Sequence, residues 1–97
     1  MDIQIVTRVR SRMVSLGIDG VPNVDNRYGP GYMRPTQVQI TYWYDEGSTE
    51  PDAAVRLFGV WTRETGEETE HVMDQSYDRP QRNWPGWLAD IVQANKP

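Results

Sequence analysis

The chain has 97 residues, enough for one small domain that buries roughly 60–70% of its unfolded surface on folding. It contains no cysteine, which excludes disulfides, thiolate catalysis and Cys-based zinc sites, and its net charge of −4 repels a phosphate backbone on average. The sequence has neither a long apolar run nor a basic-then-apolar N-terminal segment. We therefore expect a cytoplasmic protein that forms one domain over residues 1–97.

The first segment is predicted to be a helix that ends before Gly17. At about 100° per residue, one face collects the apolar side chains Ile5, Val6, Val9, Met13 and Leu16. Asp2 suits the helix start, and Gly17 suits a left-handed C-terminal cap. A strand over Ile3 to Val9 is the alternative, and it is disfavoured because apolar–polar alternation breaks at Ile5-Val6.

Three strands are predicted in the middle of the chain. Residues 20–35 are rich in Gly and Pro and are predicted to form a long loop, with room for a short strand near Val21 to Val24. Strict alternation over Thr36–Tyr44 marks the first long strand. Ala54–Thr62 follows, with Gly59 indicating a bulge or a close backbone approach, and the more polar Glu68–Gln75 suits an edge strand.

The last element is predicted to be a helix that begins near Pro85, a residue common at the first helical position. Its apolar stripe consists of Trp87, Leu88, Ile91 and Val92. Together the elements predict an α+β fold of order α-β-β-β-α. In this arrangement both helices pack on one face of a three-stranded antiparallel meander.

The sequence offers weak candidates for catalysis and metal binding. His71 is the single histidine, and no recognisable nucleophile motif accompanies it. Acidic residues cluster at both predicted hairpins, namely Asp45, Glu46, Glu50 and Asp52 at the first and Glu64, Glu67, Glu68 and Glu70 at the second. Their spacing matches no calcium loop, and hairpin tips commonly carry solvated charge. We therefore expect no enzyme, no metal site and no cofactor.

Trp43 is the most informative candidate for a contact surface. Tyr42, Trp43 and Tyr44 are consecutive, so one large ring is expected to point away from the helices, and an exposed Trp is a common interface anchor. The predicted partner-binding set is Trp43, Gln39, Thr41 and Phe58, with Tyr28 and Tyr32 in the loop beside them. Cross-strand packing of Trp43 against Phe58 or Val60 is an equal alternative, and stacking on a nucleobase is a third.

Arginines supply the second hypothesis, a nucleic-acid-binding domain. Residues 1–35 carry five Arg and three Asp, whereas residues 36–82 carry ten acids and four Arg. The candidate phosphate contacts are Arg8, Arg12, Arg27 and Arg34. Solvated arginines along the margin of a helix would explain the same pattern.

Two resemblances extend these predictions. The predicted helix–three strands–helix order resembles the double-stranded-RNA-binding domain, which holds phosphates with basic residues at the start of its second helix. Residues 83–87 read Asn-Trp-Pro-Gly-Trp at that place, so no RNA site is carried over. Leu16-Gly17-Ile18 and the tail from Trp84 to Val92 resemble small uncharacterised proteins of actinobacteria, the high-GC Gram-positive bacteria, and of their phages.

The sequence thus predicts a small non-enzymatic interaction module, phage-related, that acts on a host or partner protein. Nucleic-acid binding through the arginines is the alternative. A homodimer formed through an edge strand or exposed aromatic side chains is compatible with either function.

Overall fold

The computed structural model describes residues 9–78 and 83–97, with side chains from residue 12 onward. These residues form five strands and a helix: β1 (Val9–Gly17), β2 (Val24–Asp25), β3 (Tyr32–Tyr44), β4 (Asp52–Thr62), β5 (Glu68–Tyr77) and α1 (Gly86–Ala94). The strands make one antiparallel sheet in the order β1-β3-β4-β5, and β2 pairs with the start of β3. Within the described ranges, no helix has the length and apolar content needed to cross a membrane.

The predicted α-β-β-β-α fold is wrong, because the structure is mostly an antiparallel sheet with one short helix. Residues 9–17 of the predicted first helix form β1, which pairs with β3. Ile5 and Val6 lie outside the described residues. Since the N-terminal element is a strand, the order of elements on which the resemblance to the double-stranded-RNA-binding domain depends is not the observed one.

A bulge in β1 explains why alternation is hard to see there. Val14 is buried and Met13 exposed, as expected of a strand with one covered face. The pairing with β3 shifts between Arg10 and Arg12, which places an extra residue in the strand. Beyond such a bulge the apolar positions change face, and their spacing then imitates that of a helix.

The predicted loop over residues 20–35 is largely a hairpin. β2 supplies a short strand at Val24–Asp25, and β3 begins at Tyr32 instead of Thr36. Pro35 therefore lies inside a strand, at a shift in the pairing between β3 and β4. A bulge is one of the few places in a sheet that tolerate proline, because proline has no N–H to donate.

The core lies between α1 and one face of the sheet, here called the covered face. Leu88 and Val92 of α1 are fully buried, with Trp87 and Ile91 packed at their sides, which confirms the predicted stripe. From the sheet the core receives mainly Val14, Met33, Val38, Ile40, Tyr42, Val55, Leu57 and Tyr77. The Tyr42 hydroxyl donates a hydrogen bond of 2.6 Å to the Val92 carbonyl and so joins sheet and helix.

Gly59 confirms the predicted close backbone approach. A Cβ atom at this position would collide with the Arg34 carbonyl oxygen and lie 2.6 Å from Met33 Cγ. Glycine at position 59 lets β3 and β4 remain paired next to the fully buried side chain of Met33 on the covered face.

Candidate functional site

A cleft of about 780 Å³ lies between the loop that joins β2 to β3 and the strand β5. Its volume is within the range of typical ligand-binding clefts. The loop contributes Asn26, Tyr28, Gly29 and Pro30, and the sheet contributes Trp61, Arg63 and residues 69–74. We call this the loop–β5 cleft.

Two tethers hold the loop against the sheet. The Arg27 backbone N–H donates a 2.8 Å hydrogen bond to Oε1 of fully buried Gln75. The Arg27 guanidinium lies 3.9 Å from the centre of the Tyr77 ring and donates to the Ser76 carbonyl. At the other end, Trp61 Nε1–H donates to the Pro30 carbonyl at 3.1 Å.

Hydrogen bonds of Asn26 and the backbone conformation of Gly31 define the shape of the loop. Asn26 Oδ1 accepts from the Tyr28 N–H, and Asn26 Nδ2 donates to the Pro30 carbonyl. Gly31 follows with φ of +88°, and a Cβ there would collide with the Thr62 carbonyl oxygen. Position 31 requires glycine, because its backbone is left-handed and lies against β4. This conformation sets the direction in which the loop leaves the sheet.

The loop–β5 cleft presents aromatic and apolar side chains next to acidic ones. Tyr28 is 73% exposed, and Val72 is 68% exposed. The Trp61 and His71 rings meet edge to face at 6.3 Å, and the Arg63 guanidinium lies 5.3 Å from the Trp61 ring centre. An exposed aromatic beside an anchored tryptophan is typical of surfaces that bind partners.

The outer edge of β5 borders the same cleft. β5 is an edge strand, as predicted, and no strand in residues 9–78 or 83–97 pairs with its outer side. The Trp61 carbonyl of β4 accepts from Thr69 Oγ1 of β5, so odd-numbered backbone groups of β4 face β5. The Ser76 carbonyl, which accepts from Arg27, therefore points outward. Since backbone groups alternate in antiparallel pairing, the N–H and C=O groups of Asp74 and Val72 also point outward.

The predicted partner-binding residues do not form one surface. Trp43 is 9% exposed, so the expectation of an exposed ring is wrong. Alternation along β3 places Trp43 with half-buried Gln39 and Thr41 on the face opposite α1, here called the open face. Tyr32 lies at the other end of β3, about 35 Å away at 3.3 Å per residue.

The open face is rich in polar side chains that bond one another. Gln37 Nε2 donates to Ser15 Oγ at 2.8 Å, and Arg56 Nε pairs with Asp74 Oδ2 at 2.8 Å. Phe58 is half-buried, with the Arg56 guanidinium 5.6 Å from its ring centre. These contacts already satisfy much of the hydrogen-bonding capacity of this face.

The candidate phosphate-binding arginines are dispersed. Arg8 lies outside the described residues, Arg27 is held by the loop tether, and Arg34 forms an ion pair with Glu68. Arg12 pairs in register with Tyr42, which puts it about 26 Å along the sheet from Arg34. No common phosphate-binding patch results from the three described arginines.

In the described part of the chain, His71 and the acidic residues are not arranged as a metal-binding site. Groups of three or more His, Asp or Glu side chains suited to a metal ion are not found within residues 9–78 and 83–97. His71 is exposed and contacts Trp61, and Glu70 lines the same cleft.

A second cleft of about 600 Å³ lies beside α1 and contains Arg27, Tyr77, Trp84 and Trp87. Trp84 is buried, and its Nε1–H donates to the Asp78 carbonyl at 2.7 Å. Its ring meets Tyr77 edge to face at 6.4 Å. The aromatic groups of this second cleft therefore serve the packing of α1 and the loop.

Sequence reasoning missed Trp61, Gln75 and the outer edge of β5 as parts of a site. Gln75 is the residue that the sequence could best have indicated, because a side-chain amide buried on the covered face of a strand needs a hydrogen-bond partner.

Comparison with protein-family models, with curated proteins and with solved structures finds no match to this chain.

Proposed function

We propose that this chain is a small non-enzymatic interaction module that binds a partner protein through the loop–β5 cleft. The observation that carries the proposal is Tyr28, which is 73% exposed on a loop that Gln75 and Trp61 tie to the sheet. An aromatic side chain on a fixed loop loses little conformational freedom on binding, which favours its use as an anchor.

Charge favours a protein over nucleic acid as the partner. Glu68, Glu70 and Asp74 belong to β5, and Glu64 and Glu67 lie in the adjoining turn. Phosphate groups approaching this cleft would meet Glu70 and Asp74 in its lining. Although Arg63 is part of that lining, the predicted phosphate contacts Arg12 and Arg34 lie outside it. Nucleic-acid binding is therefore the less supported alternative.

The origin and setting of the function remain part of the proposal. The resemblance of residues 16–18 and 84–92 to proteins of actinobacteria and their phages suggests a phage protein that acts on a host protein. We place this action in the cytoplasm.

Substitution of Tyr28 tests the proposal. Tyr28→Ala removes the exposed ring, and Met13→Ala is the matched control because Met13 is 50% exposed on the open face. A protein captured from actinobacterial lysate is purified and titrated against the wild type and both variants by calorimetry. We expect Tyr28→Ala to raise Kd about tenfold or more and Met13→Ala to leave it unchanged.

Equal affinities for the wild type and Tyr28→Ala would contradict the proposed surface. Recovery of nucleic acid in place of a protein, with affinity that falls steeply as salt increases, would contradict the proposed partner class.

A further inference from the structure

We infer that the partner docks as an extended segment that adds a strand to the outer edge of β5 and alternates lysine or arginine with apolar residues. The inference rests on the proposed function and specifies what occupies the loop–β5 cleft. Three features carry it: the outer edge of β5, which no strand within residues 9–78 or 83–97 covers, the path of the cleft along β5, and the difference in charge between the two sides of β5.

One hydrogen bond and the register with β4 fix which backbone groups of β5 point outward. The even-numbered residues Val72, Asp74 and Ser76 lie opposite even-numbered residues of β4. Thr69 Oγ1 donates to the Trp61 carbonyl at 2.9 Å, so the odd-numbered carbonyls of β4 face β5. Val72 and Asp74 therefore offer four outward backbone groups in register for a new strand.

The cleft follows the edge of β5. Its lining includes six consecutive residues, Thr69 to Asp74, of which Val72, Met73 and Asp74 pair in regular register with β4 and so point alternately to opposite faces. One cleft touches both sets of side chains only where it runs along the backbone edge. An extended segment has the same straight path, with the β2–β3 loop as the opposite boundary.

The two sides of β5 differ in chemistry. His71 and Met73 share the covered face with Trp61, so this side offers aromatic and apolar contacts. Asp74 lies opposite Phe58 on the open side and pairs with Arg56, whereas Glu70 is exposed in the lining of the cleft and forms no ion pair within the described part of the chain. An added strand alternates in the same way, so it satisfies both sides with apolar residues toward Trp61 and basic residues toward Glu70.

The position of Val72 provides a backbone test. Because its N–H points away from β4, Val72→Pro removes one donor to the added strand and leaves the pairing with β4 in place. Val72→Thr is the matched control, since it keeps both the N–H and the branched shape. The probe is a fluorescent, capped peptide that alternates lysine with valine, and its Kd is measured by anisotropy.

We expect Val72→Pro to weaken binding of this peptide about tenfold and Val72→Thr to retain the wild-type Kd. Glu70→Gln should weaken binding more than Glu64→Gln, because Glu64 does not line the cleft. An alternating glutamate–valine peptide should bind more weakly than the lysine peptide. Equal Kd values for the two Val72 variants, tighter binding of the acidic peptide, or no saturable binding of the lysine peptide would overturn the inference.

Amide hydrogen exchange on the wild-type protein tests the inference without any substitution. Saturation with the lysine–valine peptide should slow exchange at Val72 and Asp74, whereas the inward amide of Met73 should change little. Unchanged exchange at Val72 and Asp74 would exclude strand addition. If the captured partner still depends on Tyr28 in that case, the proposed function stands and only the strand-addition mode fails.

Discussion

Tyr42 shows how one side chain can link the sheet to the helix. It is fully buried, and its hydroxyl donates to the Val92 carbonyl in α1. Burial raises the pKa of the Tyr42 phenol above its usual value of 10.0, and the nearby Arg12 guanidinium offsets part of that rise. The folded state therefore holds this proton more tightly than the unfolded state.

Alkaline pH should accordingly weaken the fold through Tyr42. The contribution is fully present below the unfolded pKa of 10.0, and it is lost as pH rises through the higher folded pKa, because the unfolded phenol ionises first. We expect Tyr42→Phe to cost about 1–2 kcal/mol at neutral pH, since it leaves the Val92 carbonyl unpaired. Urea denaturation followed by circular dichroism at several pH values measures both effects.

Tyr28→Phe is the control for Tyr42→Phe, because it removes the hydroxyl group of an exposed tyrosine. The same decline of unfolding free energy above pH 10 in wild type and Tyr42→Phe would show that another group is responsible.

Trp43 illustrates why exposure is hard to predict from alternation. The pattern of β3 separates Tyr42 and Trp43 onto opposite faces, and both residues are nevertheless buried. Alternation gives the face of a side chain, whereas burial depends on what packs over that face. The face on which Trp43 lies therefore did not predict its exposure.

At the scale of elements, local patterns predicted the strands β3, β4 and β5 and the helix α1. β3 and β4 each contain a stretch that keeps a period of two, to one side of the irregularities at Pro35/Gln37 and Val60/Thr62, and α1 keeps a period of about 3.6 residues. The prediction for the residues of β1 was wrong because the bulge between Arg10 and Arg12 breaks the period of two, and only the pairing with β3 reveals the strand. The loop–β5 cleft could not be predicted either, because Tyr28, Trp61 and His71 are far apart in sequence.

The β2–β3 loop depends on β5 through one buried amide. Gln75 Oε1 accepts from the Arg27 N–H, and Gln75 Nε2 donates to the Tyr77 hydroxyl at 3.1 Å. Replacing Gln75 by methionine keeps the volume but leaves the Arg27 N–H without its acceptor. We expect Gln75→Met to lower the free energy of unfolding by about 1–3 kcal/mol and to speed exchange of the Arg27 amide.

Gln37→Met is the matched control, because Gln37 is exposed on the open face and bonds a side chain there. Its free energy of unfolding should stay within about 0.5 kcal/mol of wild type. Equal exchange of the Arg27 amide in wild type and Gln75→Met would show that the loop is held by other contacts, such as that of Trp61 with Pro30.

At the scale of the whole molecule, the described residues belong to an elongated body with extents of 58 × 30 × 22 Å. The long strands β3 and β4 separate the end near Trp43 from the end that carries the loop–β5 cleft. The part of the open face near Met13 and Trp43 is therefore distant from the cleft, and a partner of ordinary size can be assigned to one or the other.

Site-specific photo-crosslinking tests that assignment most directly. A benzophenone side chain is placed at Tyr28 in one variant and at Met13, on the open face, in another, and each is irradiated with the purified partner. We expect adducts from position 28, mapped by mass spectrometry to one extended partner segment, and none above background from position 13. Adducts from position 13 alone would contradict binding through the loop–β5 cleft and would place the interaction on the open face.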